Sequence, residues 1–375
     1  MSAADLQYMR LALRLAKRGY GATSPNPMVG AVLVKGRKII GRGWHRQAGG
    51  PHAEIEALRD AAKRGHSPRE ATLYVTLEPC CTHGRTPPCT DAITAAGIKR
   101  VVVGATDPNP KHAGLGFKIL KRGSVQTVHG ILEPDCTLLN EAFNHWIVRR
   151  TPFVTVKAAM TLDGKIATAS GESKWITGEK ARAEGMKLRQ GSDAILVGVN
   201  TVLADDPSLT ARKGKTIQNP RLRRIILDSM ARTPLKAKVA SDSFASLTTI
   251  VVSKRAPKNR VAALAKKVNI LVAPEKSRGS LDLPWLLKKL GSENVTSLLV
   301  EGGGEVNASF LLGRLAQCVA FFYAPKVLGG RAARKGIAGA GVQNLAEVIQ
   351  LSDVKWRKVG ADLMLTARII HSGRR

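Results

Sequence analysis

The first half of the chain alternates short apolar runs with segments in which apolar residues recur at helical spacing. Leu6, Met9, Leu13 and Ala16 recur on one face, which predicts an amphipathic helix over residues 4–19. The other elements predicted for this half are a hairpin over 29–34 and 38–43, helices over 52–62, 90–96 and 115–122, and strands over 71–77, 100–105 and 125–129. This alternation is typical of an α/β domain whose mixed-direction sheet lies between helices.

The pattern restarts near residue 148 with a second series of buried-strand candidates. Their near-continuous apolar character, with helical or turn-rich segments between them, predicts a second α/β domain with a largely parallel sheet. We therefore expect domains at 1–147 and 148–375, both of ordinary size. The apolar runs lie at 154–160, 194–198, 224–228, 248–253, 269–273, 297–303 and 319–326.

Composition excludes several classes of protein. Hydrophobic residues make up 44% of the 375 positions, enough for two cores, so disorder is not expected. No apolar run approaches the ~18 residues of a membrane span. The N-terminus lacks the apolar stretch and cleavage site of a secretory signal. The sequence thus predicts a soluble, cytoplasmic protein without a membrane partner.

The chain carries 59 basic and 28 acidic residues, a formal net charge of +31. Such a charge attracts nucleic acid and phosphorylated small molecules alike. The basic residues are spread along the chain, and aromatic residues, at 4%, supply few platforms for stacking bases. We expect a phosphorylated small molecule as the partner and no specific nucleic acid.

The most specific chemical signal is His52-Ala53-Glu54, followed by Pro79-Cys80 and, after eight intervening residues, Cys89. A His-x-Glu…Pro-Cys…Cys pattern is the signature of zinc deaminases. Three protein ligands leave the fourth position of zinc to a water whose pKa the metal lowers. Glu54 is close enough to a ligand to move protons between that water and departing ammonia. The pattern predicts one catalytic Zn²⁺ per chain, with His52, Cys80 and Cys89 as ligands.

Two alternatives remain at this point. The same residues would serve a structural zinc site if Cys81 or His83 supplied a fourth ligand. A deaminase of nucleic acids would also carry His-x-Glu, but its two cysteines are separated by two residues rather than eight. Five cysteines, three of them within ten residues, do not indicate a secreted disulfide framework.

Four segments of the first half, at 23–34, 51–54, 76–89 and 107–110, resemble the bacterial bifunctional riboflavin-biosynthesis deaminase–reductases (the RibD or RibG family). The resemblance implies a cytidine-deaminase-like α/β/α layered domain. It also implies deamination of 2,5-diamino-6-(5-phosphoribosylamino)pyrimidin-4(3H)-one.

The resemblance further implies that Asn26 and His45 contact the pyrimidine and that Arg85 meets the phosphate. From the residues alone, the alternative to a substrate contact is a turn residue between prolines for Asn26 and a surface histidine for His45. The family often has histidine at the position of Thr82, whereas this chain has His83 next.

Segments 157–177, 199–212 and 300–310 resemble the reductase half of the same family, whose α/β fold is similar to dihydrofolate reductase. The last of them runs from a strand through glycines into a helix, and such a helix N-terminus favours a pyrophosphate. The resemblance implies NADPH as cofactor and reduction of 5-amino-6-(5-phosphoribosylamino)uracil to a ribityl compound. It also implies a homo-oligomer.

Two residue sets are carried over from the resemblance. The NADPH site is expected at Ala159, Trp175, Thr201, Asp205, Ser229, Gly303, Gly304, Glu305, Val306, Asn307, Ala308 and Ser309. The substrate site is expected at Lys157, Ser173, Arg189, Leu209, Arg212 and Glu301. Arg189 and Arg212 would be phosphate partners or, alternatively, solvated surface arginines. Trp175 would be a cofactor wall or a core aromatic.

Three functions compete with a bifunctional enzyme. They are a nucleic-acid deaminase with a basic accessory domain, a non-catalytic zinc-stabilised module, and a chain with a single active site.

Overall fold

A computed structural model describes residues 2–83, 87–277 and 279–371 of the chain. It divides into two compact units, Met1–Arg150 and Thr151–Arg375. The first unit ends three residues after the end expected from the sequence, at residue 147. The difference arises because the last helix of this unit continues to Arg149.

The first unit is built from helices and strands in alternation. Its helices are α1 (Ala3–Ala16), α2 (Ala53–Lys63), α3 (Cys89–Ala95), α4 (Leu115–Arg122), α5 (Glu133–Leu139) and α6 (Glu141–Arg149), with a 3₁₀ turn at Lys17–Gly19. Its strands are β1 (Gly30–Lys35), β2 (Lys38–Trp44), β3 (Thr72–Leu77), β4 (Arg100–Ala105) and β5 (Gln126–Val128).

These five strands form one sheet in the order β2-β1-β3-β4-β5. β1 runs antiparallel to both its neighbours, and β3, β4 and β5 are parallel. Alternate residues of each strand point to opposite faces: Leu33 packs with α2, α3 and α4, whereas Val32 packs with α1 and α5. The expected α/β/α layering and mixed strand direction are confirmed.

A buried ionic cluster ties α1 to the sheet. Ser2 caps the helix and forms a capping box with Asp5. The carboxylate of Asp5 also accepts hydrogen bonds from Arg100 Nη1 at 2.9 Å and from Tyr74 Oη at 3.0 Å. These contacts, foremost that of Arg100, hold the pKa of Asp5 well below its usual range.

The second unit follows the same alternation over a longer span. Its helices are α7 (Glu179–Gln190), α8 (Val199–Asp205), α9 (Lys238–Ser241), α10 (Lys258–Ala265), α11 (Leu283–Ser292) and α12 (Gly304–Leu312), with 3₁₀ turns at Ala245–Leu247 and Leu345–Glu347. Its strands are β6 (Phe153–Thr161), β7 (Lys165–Ala167), β8 (Ala194–Gly198), β9 (Arg212–Lys213), β10 (Thr216–Ile217), β11 (Arg223–Leu227), β12 (Thr248–Ser253), β13 (Asn269–Ala273), β14 (Glu275–Ser277), β15 (Ser280–Leu281), β16 (Ser297–Val300), β17 (Cys318–Ala324), β18 (Arg334–Lys335), β19 (Leu351–Val359) and β20 (Asp362–Ile369).

The main sheet has nine strands in the order β13-β12-β11-β8-β16-β6-β17-β20-β19. The seven from β13 to β17 are parallel, and β20 and β19 add an antiparallel edge. One face packs on α11 and α12, and the other on α7, α8, α9 and α10. Helices on both faces cover the parallel strands, which explains their continuous apolar sequence.

A buried arginine fixes the segment that follows α8. Arg224 in β11 is 1% exposed and makes a two-pronged ion pair with Asp242. The same guanidinium donates to the carbonyl oxygen of Ser208 at 3.0 Å. This bond holds the segment after α8, in which Leu209 has a positive φ of 50°.

Within the described residues, no helix is both long and apolar enough to cross a bilayer.

Candidate active sites

The first unit brings His52, Cys80 and Cys89 together. His52 is the residue before α2, Cys80 follows the end of β3, and Cys89 opens α3. Nδ1 of His52 lies 3.4 Å from Sγ of Cys80 and 3.3 Å from Sγ of Cys89. All three ligand atoms lie within 4.8 Å of one another.

This geometry fits a tetrahedral zinc ion. Nitrogen at ~2.1 Å and sulfur at ~2.3 Å from a tetrahedral centre lie about 3.6 Å apart, close to the distances seen here. One imidazole nitrogen with two thiol sulfurs is a donor set that zinc prefers. Cys81, the suggested fourth ligand, instead places Sγ 3.7 Å from Nδ1 of His112. His83, the other suggestion, is exposed.

Contacts among the three groups polarise the cysteines. Hydrogen bonds with Cys89 and His52 lower the pKa of Cys80 to about 4, while the contact with Cys80 raises the pKa of the Cys89 thiol. These contacts favour the charged form of Cys80 over that of Cys89.

Glu54 lies in the first turn of α2, beside these groups, and is 3% exposed. Burial, with the negative charge of Cys80, raises its pKa to about 7. Close packing of α2 on β2 sets this position, because a Cβ at Gly43 would overlap the carbonyl oxygen of Ala53.

Asn26 and His45 form a pair beside His52. Nδ2 of Asn26 lies 3.2 Å from Nε2 of His45, whose Nδ1 is 3.0 Å from the carbonyl oxygen of Pro51. A proton on Nδ1 satisfies both contacts, with Asn26 donating to Nε2. The rings of His45 and His52 meet edge to face at 5.5 Å. His45 is 2% exposed, so its interpretation as a surface histidine is wrong.

The carboxylate of Glu78 anchors the start of the loop that carries Cys80, a role that the sequence did not predict. Its carboxylate accepts three backbone N–H groups, from Asp107 at 3.2 Å, Gly114 at 3.0 Å and Gly116 at 2.9 Å. It thereby ties the end of β3 to the segment before α4. A carboxylate immediately before Pro-Cys was the available signal. Arg85, the expected phosphate partner, lies outside the described residues.

The second unit contains two adjoining cavities at the carboxyl ends of its parallel strands, where ligands bind in open α/β sheets. The first cavity has a volume of about 550 Å³ and the second about 530 Å³. Both are lined by Ile166, Ser173, Thr201, Asp205 and Gly303.

The first cavity is bounded by the glycines that follow β16. A Cβ on Gly303 would meet no atom within 4 Å, whereas one on Gly304 would overlap the carbonyl oxygen of Lys335. The bare backbone of Gly303 thus faces open space at the start of α12, whose first N–H groups lack helical acceptors. Expected NADPH-site residues on this wall are Thr201, Asp205, Ser229, Gly303, Gly304, Glu305, Val306 and Ser309.

The second cavity is lined by a buried charged group. Glu301 accepts from Nε of Arg189 at 2.8 Å and from its Nη2 at 2.9 Å, and Nζ of Lys157 lies 3.5 Å away. Although burial opposes ionisation, the two cations lower the pKa of Glu301 to about 2. All the expected substrate residues of the second unit line this cavity: Lys157, Ser173, Arg189, Leu209, Arg212 and Glu301.

Three further expected cofactor residues, Ala159, Trp175 and Asn307, line the second cavity rather than the first. Trp175 is 64% exposed and lies under the guanidinium of Arg182 at 4.5 Å, so its interpretation as a core aromatic is wrong. Ala308 is 2% exposed and lines neither cavity, because it lies on the inner side of α12. Arg189 forms an ion pair with Glu301, so its interpretation as a solvated surface arginine is also wrong.

Two family models match the chain. The model of the cytidine and deoxycytidylate deaminase zinc-binding region matches residues 2–105, and that of the RibD C-terminal domain matches residues 152–365.

Full-length relatives and solved structures agree with these matches. The riboflavin biosynthesis protein RibD of Actinobacillus pleuropneumoniae is 42% identical over 98% of this chain and 96% of its own length. Its Aquifex aeolicus counterpart is 43% identical over 96% and 97%. The fold is similar to that of Acinetobacter baumannii RibD, with a TM-score of 0.87, 36% identity and coverage of 98% and 99%. It is also similar to the Thermotoga maritima diaminohydroxyphosphoribosylaminopyrimidine deaminase/5-amino-6-(5-phosphoribosylamino)uracil reductase, with a TM-score of 0.81, 34% identity and the same coverage.

Proposed function

The chain belongs to the RibD family of bifunctional riboflavin biosynthesis deaminase/reductases, and we propose how its two units divide that work. The first unit deaminates 2,5-diamino-6-(5-phosphoribosylamino)pyrimidin-4(3H)-one with zinc. The second reduces 5-amino-6-(5-phosphoribosylamino)uracil to the ribityl compound with NADPH. The observation that carries the division is that the ligand cluster and the glycine-bounded cavity lie in different compact units.

His52, Cys80 and Cys89 would hold the zinc ion. When bound, the metal supplies a Lewis acid that makes water acidic enough to serve as a nucleophile near neutral pH. The remainder of the deamination falls to side chains of this chain.

Glu54 is the proton carrier of this reaction. Hydrolytic deamination requires one proton to leave the attacking water and one to reach the departing amine. Glu54 is buried beside the ligands and has no competing salt bridge among those observed in the described residues. Its carboxyl group can therefore accept and return the proton within a water-poor space.

Asn26 and His45 would orient the pyrimidine. Their mutual hydrogen bond, and that of His45 to Pro51, fix which ring nitrogen carries the proton. Substrate edges that present both donors and acceptors can be read by such a pair. Arg85 is proposed to meet the substrate phosphate, as the resemblance implies.

The two cavities of the second unit would hold cofactor and substrate side by side. Gly303 and the start of α12 suit a pyrophosphate, because glycine lets backbone N–H groups approach closely. When bound, NADPH supplies the hydride that reduces C1′ of the ribosylamino group. The shared wall at Ser173, Thr201 and Asp205 places the two ligands next to each other, and positioning is the main requirement of hydride transfer.

Lys157, Glu301 and Arg189 would bind the sugar in the second cavity. The carboxylate of Glu301 accepts from ribose hydroxyls, and Lys157 donates to a ribose oxygen as the ring opens. Arg212, on the exposed rim, is the better phosphate partner because Arg189 is already paired with Glu301.

A coupled assay tests this division. Purified full-length protein is given NADPH with either the diaminopyrimidine substrate or its deaminated product, and ammonia release and NADPH oxidation are followed with and without a zinc chelator. The proposal predicts that the chelator abolishes ammonia release but spares NADPH oxidation on the deaminated substrate. Chelator-insensitive ammonia release, or zinc-dependent NADPH oxidation on that substrate, would contradict it.

A further inference from the structure

The loop after β11 presents a cation to the first cavity that no sequence reasoning assigned. Ser229 and Arg232 both line that cavity, next to Asn200 in the first turn of α8. Nη2 of Arg232 donates to Oδ1 of Asn200 at 2.8 Å. The guanidinium is thus oriented by one of its five N–H groups.

The only acidic residue in this loop faces away from the cavity. Asp228 is 0% exposed, and its Oδ1 accepts from the backbone N–H of Arg232 at 2.9 Å. Its Oδ2 accepts from the backbone N–H and from the hydroxyl of Thr233, both at 2.7 Å. The carboxylate therefore serves the loop and does not line either cavity.

The loop is also braced from α10. The guanidinium of Arg260 donates from Nε to the carbonyl oxygen of Ala231 at 3.1 Å and from Nη2 to that of Thr233 at 2.9 Å. Together with Asp228, these contacts hold the loop in one conformation, with Ser229 and Arg232 toward the cavity.

Nucleotide-binding α/β folds distinguish two dinucleotides at the end of such a strand. A carboxylate there binds the 2′-hydroxyl of NAD, whereas an arginine accommodates the 2′-phosphate of NADP. Here the carboxylate is sequestered and an arginine with a hydroxyl neighbour takes its place. We propose that Arg232, assisted by Ser229, binds the 2′-phosphate of NADPH and makes the reductase select it over NADH. This inference rests on the proposed reductase function.

Two other basic residues line the first cavity, and their effect on dinucleotide binding must be distinguished from that of Arg232. Arg334 and Lys335 lie in β18, and the backbone carbonyl oxygen of Lys335 packs against Gly304 at the start of α12. That place suits the pyrophosphate, which NADPH and NADH share. These cations therefore contribute to the affinity for both dinucleotides and not to the choice between them.

The test uses a matched pair of probes, adenosine 2′,5′-bisphosphate and 5′-AMP, which differ only in the 2′-phosphate. Their dissociation constants are measured calorimetrically on the full-length wild type and on Arg232→Ala, Arg232→Lys, Arg334→Ala and Arg255→Ala. Arg255 is an exposed arginine that lines neither cavity, so its variant controls for net charge.

We expect the wild type to prefer the bisphosphate by roughly 10- to 100-fold, the contribution of one charge-assisted pair. Arg232→Ala should reduce this preference to within about twofold, and Arg232→Lys should restore part of it. Arg255→Ala should keep the preference, and Arg334→Ala should weaken both probes equally. In steady state, Arg232→Ala should raise the KM for NADPH but not for NADH, with kcat retained.

The inference is overturned if Arg232→Ala keeps the preference or if Arg334→Ala alone removes it. A wild type that oxidises NADPH yet binds both probes equally would overturn the inference and leave the reductase function standing. A folded wild type that binds neither probe and oxidises neither dinucleotide would overturn the reductase function with it.

Discussion

Arg189 and Glu301 form a two-pronged ion pair in the wall of the second cavity, with nitrogen–oxygen distances of 2.8 and 2.9 Å. The arginine comes from α7 and the glutamate follows β16, so the pair joins two distant parts of the unit. It leaves one carboxylate face toward Lys157 at 3.5 Å. The pair thus orients Glu301 toward the second cavity, where we propose that it accepts hydrogen bonds from a sugar.

Removing the arginine should damage both stability and sugar binding. Arg189→Met leaves Glu301 buried with Lys157 alone, and breaking a buried pair costs about 3–5 kcal/mol. We expect a loss of that size in urea unfolding and a raised KM for the deaminated substrate in NADPH oxidation. Ammonia release should not change. The surface pair Lys187–Glu184 is the control, and Lys187→Met should cost less than about 1 kcal/mol.

Acid should remove the stabilising effect of the α1 cluster. Since Arg100 lowers the pKa of Asp5 in the folded state, the stabilising contribution of Asp5 is present above the unfolded pKa of ~3.9. It is lost as pH falls through the lower, folded pKa. Asp5→Asn should therefore lower the free energy of unfolding of the first unit by about 2–3 kcal/mol at pH 7.

Urea unfolding measured from pH 7 to pH 2 checks this result, and the deficit of Asp5→Asn relative to wild type should shrink toward acid. Glu70→Gln is the control, because its partner Lys99 is exposed and the pair is expected to contribute less than about 1 kcal/mol. A deficit independent of pH would assign the effect of Asp5 to something other than its charge.

Adjacent glycines should respond differently to alanine. Gly303→Ala adds a methyl group toward the open cavity, so folding should change by less than about 1 kcal/mol while NADPH affinity falls roughly tenfold. Gly304→Ala forces a methyl group against the Lys335 carbonyl, and about 1–3 kcal/mol of stability should be lost. Thermal unfolding and fluorescence titration with NADPH separate the two effects. Equal behaviour of the two variants would refute the assignment of the cavity wall.

Glu78 should matter for zinc although it does not touch the ligand atoms. Glu78→Ala removes the acceptor of three N–H groups that hold the loop after β3. We expect zinc affinity to fall about 10- to 100-fold, as for other supporting residues of metal sites, with a parallel loss of ammonia release. Metal content after dialysis against a graded chelator measures this, and unchanged NADPH oxidation is the internal control. Glu70→Ala, an exposed glutamate of the same unit, should keep its zinc.

Local patterns predicted most elements of both sheets because buried strands are continuously apolar. β8, β11, β12 and β13 lie within one or two residues of their expected positions. The edge strand β19 was missed, since most of its side chains are exposed and it has no apolar face to signal a strand. Helix α5 was also missed, because it is short and begins at Glu133-Pro134, where a turn is equally favoured.

The clustering of His52, Cys80 and Cys89 was predictable because metal chemistry demands particular residue types at recognisable spacing. The position of Glu78 next to Pro79-Cys80 was a signal, but its role was not predictable, because its partners are backbone N–H groups 29 to 38 residues away in the chain. In the sequence, nothing distinguished Arg232 from the other arginines of a chain with a net charge of +31. Only the structure shows that Arg232 lines a cavity and that the carboxylate of Asp228 is buried in its own loop.

The most direct test of two separate active sites measures both activities of the Glu54→Gln variant. This substitution keeps the shape of the side chain and removes its proton-carrying group. Ammonia release from the diaminopyrimidine should fall by roughly 100-fold or more, with zinc content unchanged. NADPH oxidation on the deaminated substrate should match the wild type. Retained ammonia release would contradict the role of Glu54 as proton carrier, and loss of both activities in a folded, zinc-loaded protein would contradict two separate sites on one chain.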